Sequence, residues 1–176
     1  GMLKSFHKVF FEIIDLCIPT MAKVSGQCLG GGMELALICN FIMADETAVF
    51  GQPEIVLGVF PPPASVILPM KIGQSRADDL LLTGRTMTAR EAYDVGLVTA
   101  LYSNKETMEE ESNKWIANRI LPRSASSLRF GVKSARTHFN QLLVSKLPEL
   151  ESIYVQQLME THDANEGINS FLEKRP

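Results

Sequence analysis

Two glutamates and a run of three glycines are the residues of this sequence whose types and spacing could do chemistry. The glycines 30–32 follow a β-like run and open an apolar segment with Glu34 in its first turn, and Glu54 lies beyond on a predicted tight loop. A helix N-terminus presents unpaired N–H groups and a partial positive charge. Glycine also lets a substrate atom come close, because no Cβ is in the way. We therefore predict an oxyanion-binding turn with two acid/base carboxylates beside it.

Glu34 is the only charged residue between Lys23 and Asp45, in a segment apolar enough to be buried. A partly buried carboxyl group has a raised pKa, which suits proton transfer near neutral pH. Each glutamate alone is more typical of a structural residue, and three glycines alone are typical of a plain tight turn. The combination of the turn with both glutamates favours catalysis. The pattern is not G-x-G-x-x-G, so it does not indicate dinucleotide binding.

Composition excludes several classes of function. The chain has 176 residues, 45% of them hydrophobic and 21% charged, as expected for one globular core. A net charge of −3 gives no reason to expect nucleic acid or an anionic membrane as partner. Three cysteines without a C-x-x-C pair predict reduced thiols and a cytoplasmic protein. The histidines share no metal-ligand spacing, so we expect no metal.

Hydrophobic periodicity predicts an α/β arrangement followed by helices. We predict a helix over 3–16, a strand over 20–26, a helix over 33–39, strands over 41–44 and 48–50, and a strand over 97–102. Ser75 and Thr88 are predicted N-caps, the latter with Glu91 as a capping box. From residue 105 the pattern is helical, with predicted breaks at Pro122 and Pro148. We accordingly divide the chain into a core region, 1–103, and a helical region, 104–176.

At this point the sequence resembles the enoyl-CoA hydratase/isomerase (crotonase) superfamily. The similarity extends over nearly the whole chain, and the spacing of the two glutamates fits the family. The residues that carry it are 22–36 (AKVSGQCLGGGMELA), 44–45 (AD), 50–55 (FGQPEI), 57–58 (LG), 82–84 (LTG), 91–92 (EA), 96–98 (GLV), 166–168 (EGI) and 171–175 (FLEKR).

The resemblance implies a ββα superhelix, with a C-terminal helical region that assembles homotrimers or hexamers. It implies an acyl-CoA thioester as substrate, with coenzyme A entering as part of the substrate and no separate cofactor. The Gly31 N–H would then be one of two oxyanion-hole donors. Glu34 and Glu54 would hold a water molecule, one removing its proton while the other protonates the α carbon. Because both carboxylates are present, the chain resembles the hydratases.

Further residues of this sequence are assigned to substrate binding by the same resemblance: Gly30, Gly32, Gln52, Phe60, Pro61 and Pro62. The segment Gly58–Ser65 departs from most of the family, because prolines replace flexible glycine-rich backbone and give the acyl pocket rigid walls. It resembles the corresponding segment of the cyclohexa-1,5-diene-1-carbonyl-CoA hydratases of anaerobic aromatic degradation. A neutral loop variation in a hydratase of fatty-acid type is the alternative.

Family members have a further region before the helix predicted over 3–16, which supplies strands, an oxyanion donor and part of the coenzyme A pocket. We therefore expect a superhelix that is incomplete at its N-terminus. Two alternatives to a hydratase stay open. One is an enoyl-CoA isomerase that uses mainly Glu54, and the other is a truncated, non-catalytic oligomerisation module.

Overall fold

The computed structural model describes residues 2–175, in which strands and helices alternate up to residue 102 and helices follow. The first part contains α1 (Met2–Asp15), β1 (Met21–Val24), β2 (Gln27–Leu29), α2 (Gly31–Ile38), β3 (Phe41–Asp45), β4 (Val49–Gly51), a 3-10 helix (Pro53–Leu57), α3 (Pro62–Ile72), α4 (Gln74–Thr83), β5 (Thr86–Thr88), α5 (Ala89–Asp94) and β6 (Ala100–Tyr102). The second part contains α6 (Lys105–Arg119), α7 (Ala125–Ala135), α8 (Thr137–Gln156), a second 3-10 helix (Leu158–Glu160) and α9 (His162–Glu173). The division between residues 103 and 104 stays a prediction.

The strands form two three-stranded sheets, in the orders β1-β3-β6 and β2-β4-β5. β1 pairs in parallel with β3 and β2 in parallel with β4, so each sheet takes one strand from each of two successive units. Each unit then continues into a helix, α2 in the first and α3 in the second. The predicted α/β class and its ββα repeat are confirmed.

The core lies where α2, α3 and α4 pack on the two sheets. Side chains without solvent exposure come from all of these layers and from α1 and α8: Phe10, Met33, Leu37, Ala44, Phe50, Ile67, Leu68, Ala77, Leu143 and Leu147. The apolar stretch 29–44 is thus divided among a strand end, a helix and a second strand. In the described part of the chain, no helix has the length and apolar character needed to cross a membrane.

The prediction that Pro148 breaks a helix is wrong, since α8 runs without interruption through it. A proline inside a helix costs about 3 kcal/mol, because an N–H donor is lost and the ring crowds the preceding turn. Leu143 and Leu147 lie in the same helix and are fully buried. Each buried leucine contributes about 1.5–3 kcal/mol, so together they offset the proline.

Several local predictions need adjustment. Ser75 is not an N-cap: Gly73, with φ of 81°, ends α3 and caps α4, which begins two residues earlier than predicted. The strand predicted over 20–26 is shorter, because Gly26 has φ of 72° and turns the chain into β2. The N-cap at Thr88 is confirmed, with the Thr88 Oγ1 accepting from the Glu91 N–H at 3.2 Å. The Glu91 carboxylate pairs with Arg85, so the predicted capping box is only half formed.

Candidate active site

The glycine turn joins β2 directly to α2. Gly30 has φ of 52° and ψ of −129°, a conformation that glycine adopts readily, and it caps the helix. Its N–H donates to the Gly51 carbonyl at 2.9 Å, which fixes the turn against β4. The helix begins at Gly31, two residues before the predicted start, so two of the glycines form its first turn.

The first N–H groups of α2 are available to a ligand. The Glu34 N–H is the first to bond within the helix, donating to the Gly30 carbonyl at 2.9 Å. The N–H groups of residues 31–33 have no hydrogen-bond partner among the described residues. A side chain on Gly32 would meet no atom within 4 Å, so the turn is open on that side. Unpaired N–H groups at a helix N-terminus are donors of the kind that can stabilise an oxyanion.

Phe6 of α1 closes the other side of the turn. A Cβ on Gly31 would lie 3.1 Å from the Phe6 Cζ, so the absence of a side chain lets the aromatic ring pack against the turn. The sequence did not indicate this contact, because it predicted only that Phe6 lies in a helix. The missing side chain of Gly31 therefore leaves room for the Phe6 ring on one side of the turn, while its N–H is free to donate on the other.

Glu34 lies in the first turn of α2 and is only 5% exposed. Its Oε1 accepts a hydrogen bond from the Ala64 N–H at 3.1 Å. Burial raises the pKa of Glu34 to about 7; the bond from Ala64 opposes this shift, and the charge of Glu54 adds to it. The carboxyl group can therefore hold or release a proton near neutral pH.

The prolines at positions 61–63 (the proline segment) determine which backbone N–H donates to the Glu34 carboxyl group. α3 begins at Pro62, and neither Pro62 nor Pro63 has an N–H to donate. Ala64 thus supplies the first N–H of the helix, and the next residue already bonds within it, donating from Ser65 to the Pro61 carbonyl at 2.9 Å. Pro61 and Pro62 are buried, and Phe60 before them is half-buried. The segment therefore holds Glu34 through its backbone.

Glu54 is positioned by a 3-10 helix, where the sequence predicts a tight loop. Pro53 opens this helix, and Gly58, in the left-handed region with φ of 72°, ends it. The Glu54 Oε1 lies 2.7 Å from the place where a Cβ on Gly30 would stand. The carboxylate therefore contacts the turn itself, and burial raises its pKa above the ordinary value.

Gln52 lies behind Glu54 with a fully buried side chain. In one orientation its amide N–H donates to the Gly30 carbonyl at 3.3 Å. In the other orientation it donates to both Glu54 oxygens, at 3.2 and 3.0 Å. We assign the second, because it gives the carboxylate two donors where one longer bond would otherwise form. Gln52 is then a support for Glu54.

Tyr154 of α8 is a residue of this region that was not predicted from the sequence. Its ring meets Phe60 edge to face, with 5.5 Å between centroids. Burial and the nearby charge of Glu54 both raise the pKa of Tyr154. In a continuous helix, Tyr154 would lie on the same face as Leu143 and Leu147. The helix break predicted at Pro148 excluded that placement.

The glycine turn and both predicted glutamates thus come together, and the turn has N–H groups without a partner among the described residues, near two carboxyl groups of raised pKa. This combination can stabilise a developing oxyanion while protons are moved beside it. No group of three or more His, Cys, Asp or Glu side chains within residues 2–175 is arranged to hold a metal ion.

Comparison with known proteins gives concordant results. The model of the family described as "Enoyl-CoA hydratase/isomerase" matches residues 2–176. A cyclohexa-1,5-dienecarbonyl-CoA hydratase of Thauera aromatica is 44% identical over 99% of this chain and 66% of its own length. A crotonyl-CoA hydratase of Syntrophomonas wolfei is 37% identical over 96% of this chain and 64% of its own.

Solved structures agree with these relatives. The enoyl-CoA hydratase/isomerase of Pseudoalteromonas atlantica has a TM-score of 0.84 at 29% identity and covers 95% of this chain and 66% of its own. An enoyl-CoA hydratase of Mycobacterium avium subsp. paratuberculosis has a TM-score of 0.86 at 28% identity, over 96% and 69%. The chain spans about two thirds of the length of the curated relatives it matches.

Proposed function

The chain belongs to the enoyl-CoA hydratase/isomerase family, and we propose that it adds water across a conjugated double bond of an enoyl- or dienoyl-CoA thioester. The observation that carries this proposal is the convergence of Glu34 and Glu54 on the N-terminus of α2. A hydratase needs one group to take a proton from water and one to deliver a proton to carbon. A single carboxylate would suffice for moving a double bond, so the pair favours hydration.

The proposed reaction balances without a further reactant. The thioester oxygen accepts a hydrogen bond from the Gly31 N–H. Each donor of this kind lowers the barrier by roughly 3–4 kcal/mol when negative charge develops on that oxygen. The water oxygen bonds to the β carbon, one glutamate removes a water proton, and the other protonates the α carbon. Glu34, with its pKa of about 7, can serve in either role at neutral pH.

We propose an alicyclic dienoyl thioester as the acyl group. The name of the Thauera aromatica relative supports this choice, and so does the segment Phe60–Pro63. Prolines fix the backbone there and provide walls that do not adapt to a flexible chain. Three free cysteines fit a reducing compartment, for which we propose the cytoplasm.

We further propose that the chain assembles into trimers or hexamers. Large apolar side chains are exposed on the loop before α7, on α7 itself and on α9: Leu121, Phe130, Phe171 and Leu172. Exposed apolar surface of this kind marks protein contacts. Light scattering of the purified chain tests the assembly, and a monomer at micromolar concentration would contradict it.

The function is tested by following the loss of conjugated absorbance of crotonyl-CoA and cyclohexa-1,5-diene-1-carbonyl-CoA. We expect Glu34→Gln and Glu54→Gln each to lower turnover by at least about a hundredfold, the usual contribution of a positioned acid or base. Glu46→Gln, at an exposed carboxylate, is the matched control. Reaction in H₂¹⁸O distinguishes hydration, which incorporates the label, from isomerisation, which does not. Turnover that survives both glutamate changes contradicts the proposal.

A further inference from the structure

The inner face of α8 changes from apolar to polar along its length. Leu143 and Leu147 are fully buried, and α8 packs on α3. Glu151 and Tyr154 continue the same face, since residues three and four apart in a helix lie above one another. Glu151 reaches α1, where it hydrogen-bonds His7, and Tyr154 reaches Phe60. The face therefore ends beside the proline segment.

The contact between Tyr154 and Phe60 is geometrically specific. The two rings stand at 70° to each other with centroids 5.5 Å apart, the edge-to-face arrangement that aromatic rings prefer. Phe60 immediately precedes the prolines that position the Ala64 N–H, which donates a hydrogen bond to Glu34. The aromatic pair is thus attached to the same backbone that holds one of the two glutamates.

Tyr154 also lies close to the other glutamate. Burial, and after it the charge of Glu54, raises the pKa of Tyr154. The phenol oxygen forms no hydrogen bond with any group in residues 2–175, and the side chain is only half-buried. Tyr154 is therefore held through its ring, and part of its side chain remains exposed.

We propose that Tyr154 is a specificity-determining residue of the acyl site, where it forms with Phe60 an aromatic wall that favours a flat conjugated ring over a linear acyl chain. The inference rests on the proposed function, because it concerns the substrate of the same site. A rigid aromatic face offers a planar ring a large contact area at little cost in side-chain entropy. A linear acyl chain covers less of that face, so it gains less from it.

The test measures binding of two unreactive thioesters, benzoyl-CoA and butyryl-CoA, to the purified chain by calorimetry. We expect the wild type to prefer benzoyl-CoA and Tyr154→Ala to reduce that preference by about tenfold, the equivalent of one aromatic contact. Tyr154→Phe should keep the preference, because it retains the ring. Val155→Ala, at the exposed neighbouring position on the same helix, is the control. Tyr154→Leu replaces the alanine variant if circular dichroism finds that variant unfolded.

The outcomes separate the two proposals. If both thioesters bind and Tyr154→Ala weakens them equally or not at all, the aromatic wall is wrong while the acyl-CoA function stands. If the folded wild type binds neither thioester, the proposed function is wrong, and the inference that rests on it is wrong as well. A loss of preference confined to the variants without an aromatic ring supports the wall.

Discussion

The Oε1 of Glu54 lies 2.7 Å from the point where Gly30 would carry a Cβ. A side chain at position 30 and the carboxylate of Glu54 therefore cannot both occupy their places. Gly30 is also in a backbone conformation that other residues adopt only with strain, since its φ is 52°. The same glycine thus allows the turn that begins α2 and leaves room for the Glu54 carboxylate.

Gly30→Ala should displace Glu54 and strain the turn. A shift of about 1 Å in a catalytic group can cost about a hundredfold in rate, and we expect a loss of that size in turnover of the enoyl-CoA substrate. Gly32→Ala is the matched control for stability, because its Cβ would meet nothing within 4 Å. Thermal unfolding should show the first variant less stable than wild type and the second unchanged or slightly more stable. Equal melting temperatures for both variants would contradict this account of Gly30.

Gly167 allows α9 to pack against the 3-10 helix that carries Glu54. A Cβ there would overlap the Leu57 carbonyl, and a Cβ on Gly58 would stand 3.0 Å from the Asp163 carbonyl. We expect Gly167→Ala to destabilise the fold by about 1–3 kcal/mol, as overpacking does. Activity should fall as well, because Glu54 lies on the displaced helix.

Gly131→Ala is the control for this second glycine, since Gly131 lies in the exposed helix α7 and its Cβ would meet nothing within 4 Å. An alanine there should stabilise the helix by about 0.5–1 kcal/mol. Urea unfolding of both variants gives the comparison. If Gly167→Ala behaved like Gly131→Ala, the close contact between α9 and Leu57 would not exist in solution.

Features set by neighbouring residues could be predicted from the sequence. The helix of α1, the strand-turn-helix around Gly30 and the N-cap at Thr88 all depend on contacts within a few positions. Glu34 and Glu54 are far apart in the sequence, and their place beside the same turn was predicted from the combination of the glycines with both carboxylates and from the family resemblance. The fold class followed from the alternation of strands and helices, which is also a local pattern.

Partners that are far apart in the chain could not be predicted. Nothing near Glu34 in the sequence identifies the Ala64 amide as its hydrogen-bond donor, and nothing near Phe60 identifies Tyr154. Pro148 is a residue for which the local pattern gave a wrong prediction, again because distant contacts decide the structure. Its local preference against a helix is outweighed by leucines that are buried only after α8 has packed on α3.

His7 depends on one of these distant partners. It is 1% exposed, its Nδ1 hydrogen-bonds the Glu151 carboxylate, and its Nε2 has no partner among the described residues. Glu151→Ala would leave both ring nitrogens of His7 unpaired, and an unsatisfied buried polar group costs about 1–3 kcal/mol. Equilibrium unfolding should show a loss of that order.

Glu149→Ala provides the comparison on the same helix. The exposed Glu149 carboxylate pairs with Lys146 at 2.9 Å, and an exposed pair of this kind contributes at most about 1 kcal/mol. If Glu149→Ala lowered the free energy of unfolding as much as Glu151→Ala, the buried bond to His7 would contribute no more to stability than an exposed ion pair.

The pKa of Glu34 predicts that stability depends on pH with a definite sign. Burial raises this pKa from 4.5 to about 7. Below pH 4.5 the group is protonated in both the folded and the unfolded chain. Between these values the folded chain keeps the proton that the unfolded chain has lost, so the free energy of unfolding contributed by Glu34 falls as pH rises. Above pH 7 the loss is complete and amounts to about 3 kcal/mol.

Glu34→Gln removes this loss while its side-chain oxygen can still accept the Ala64 N–H. We therefore expect the variant to melt several degrees higher than wild type at pH 8.5, at about 2–4 °C per kcal/mol for a chain of this size. At pH 5 the difference should be small, because Glu34 is then protonated in the folded wild type. Glu46→Gln controls for removal of one exposed charge. A Glu34→Gln difference that stays constant between the two pH values would mean that Glu34 is not held in a desolvated site, and its part in proton transfer near neutral pH would lose its physical basis.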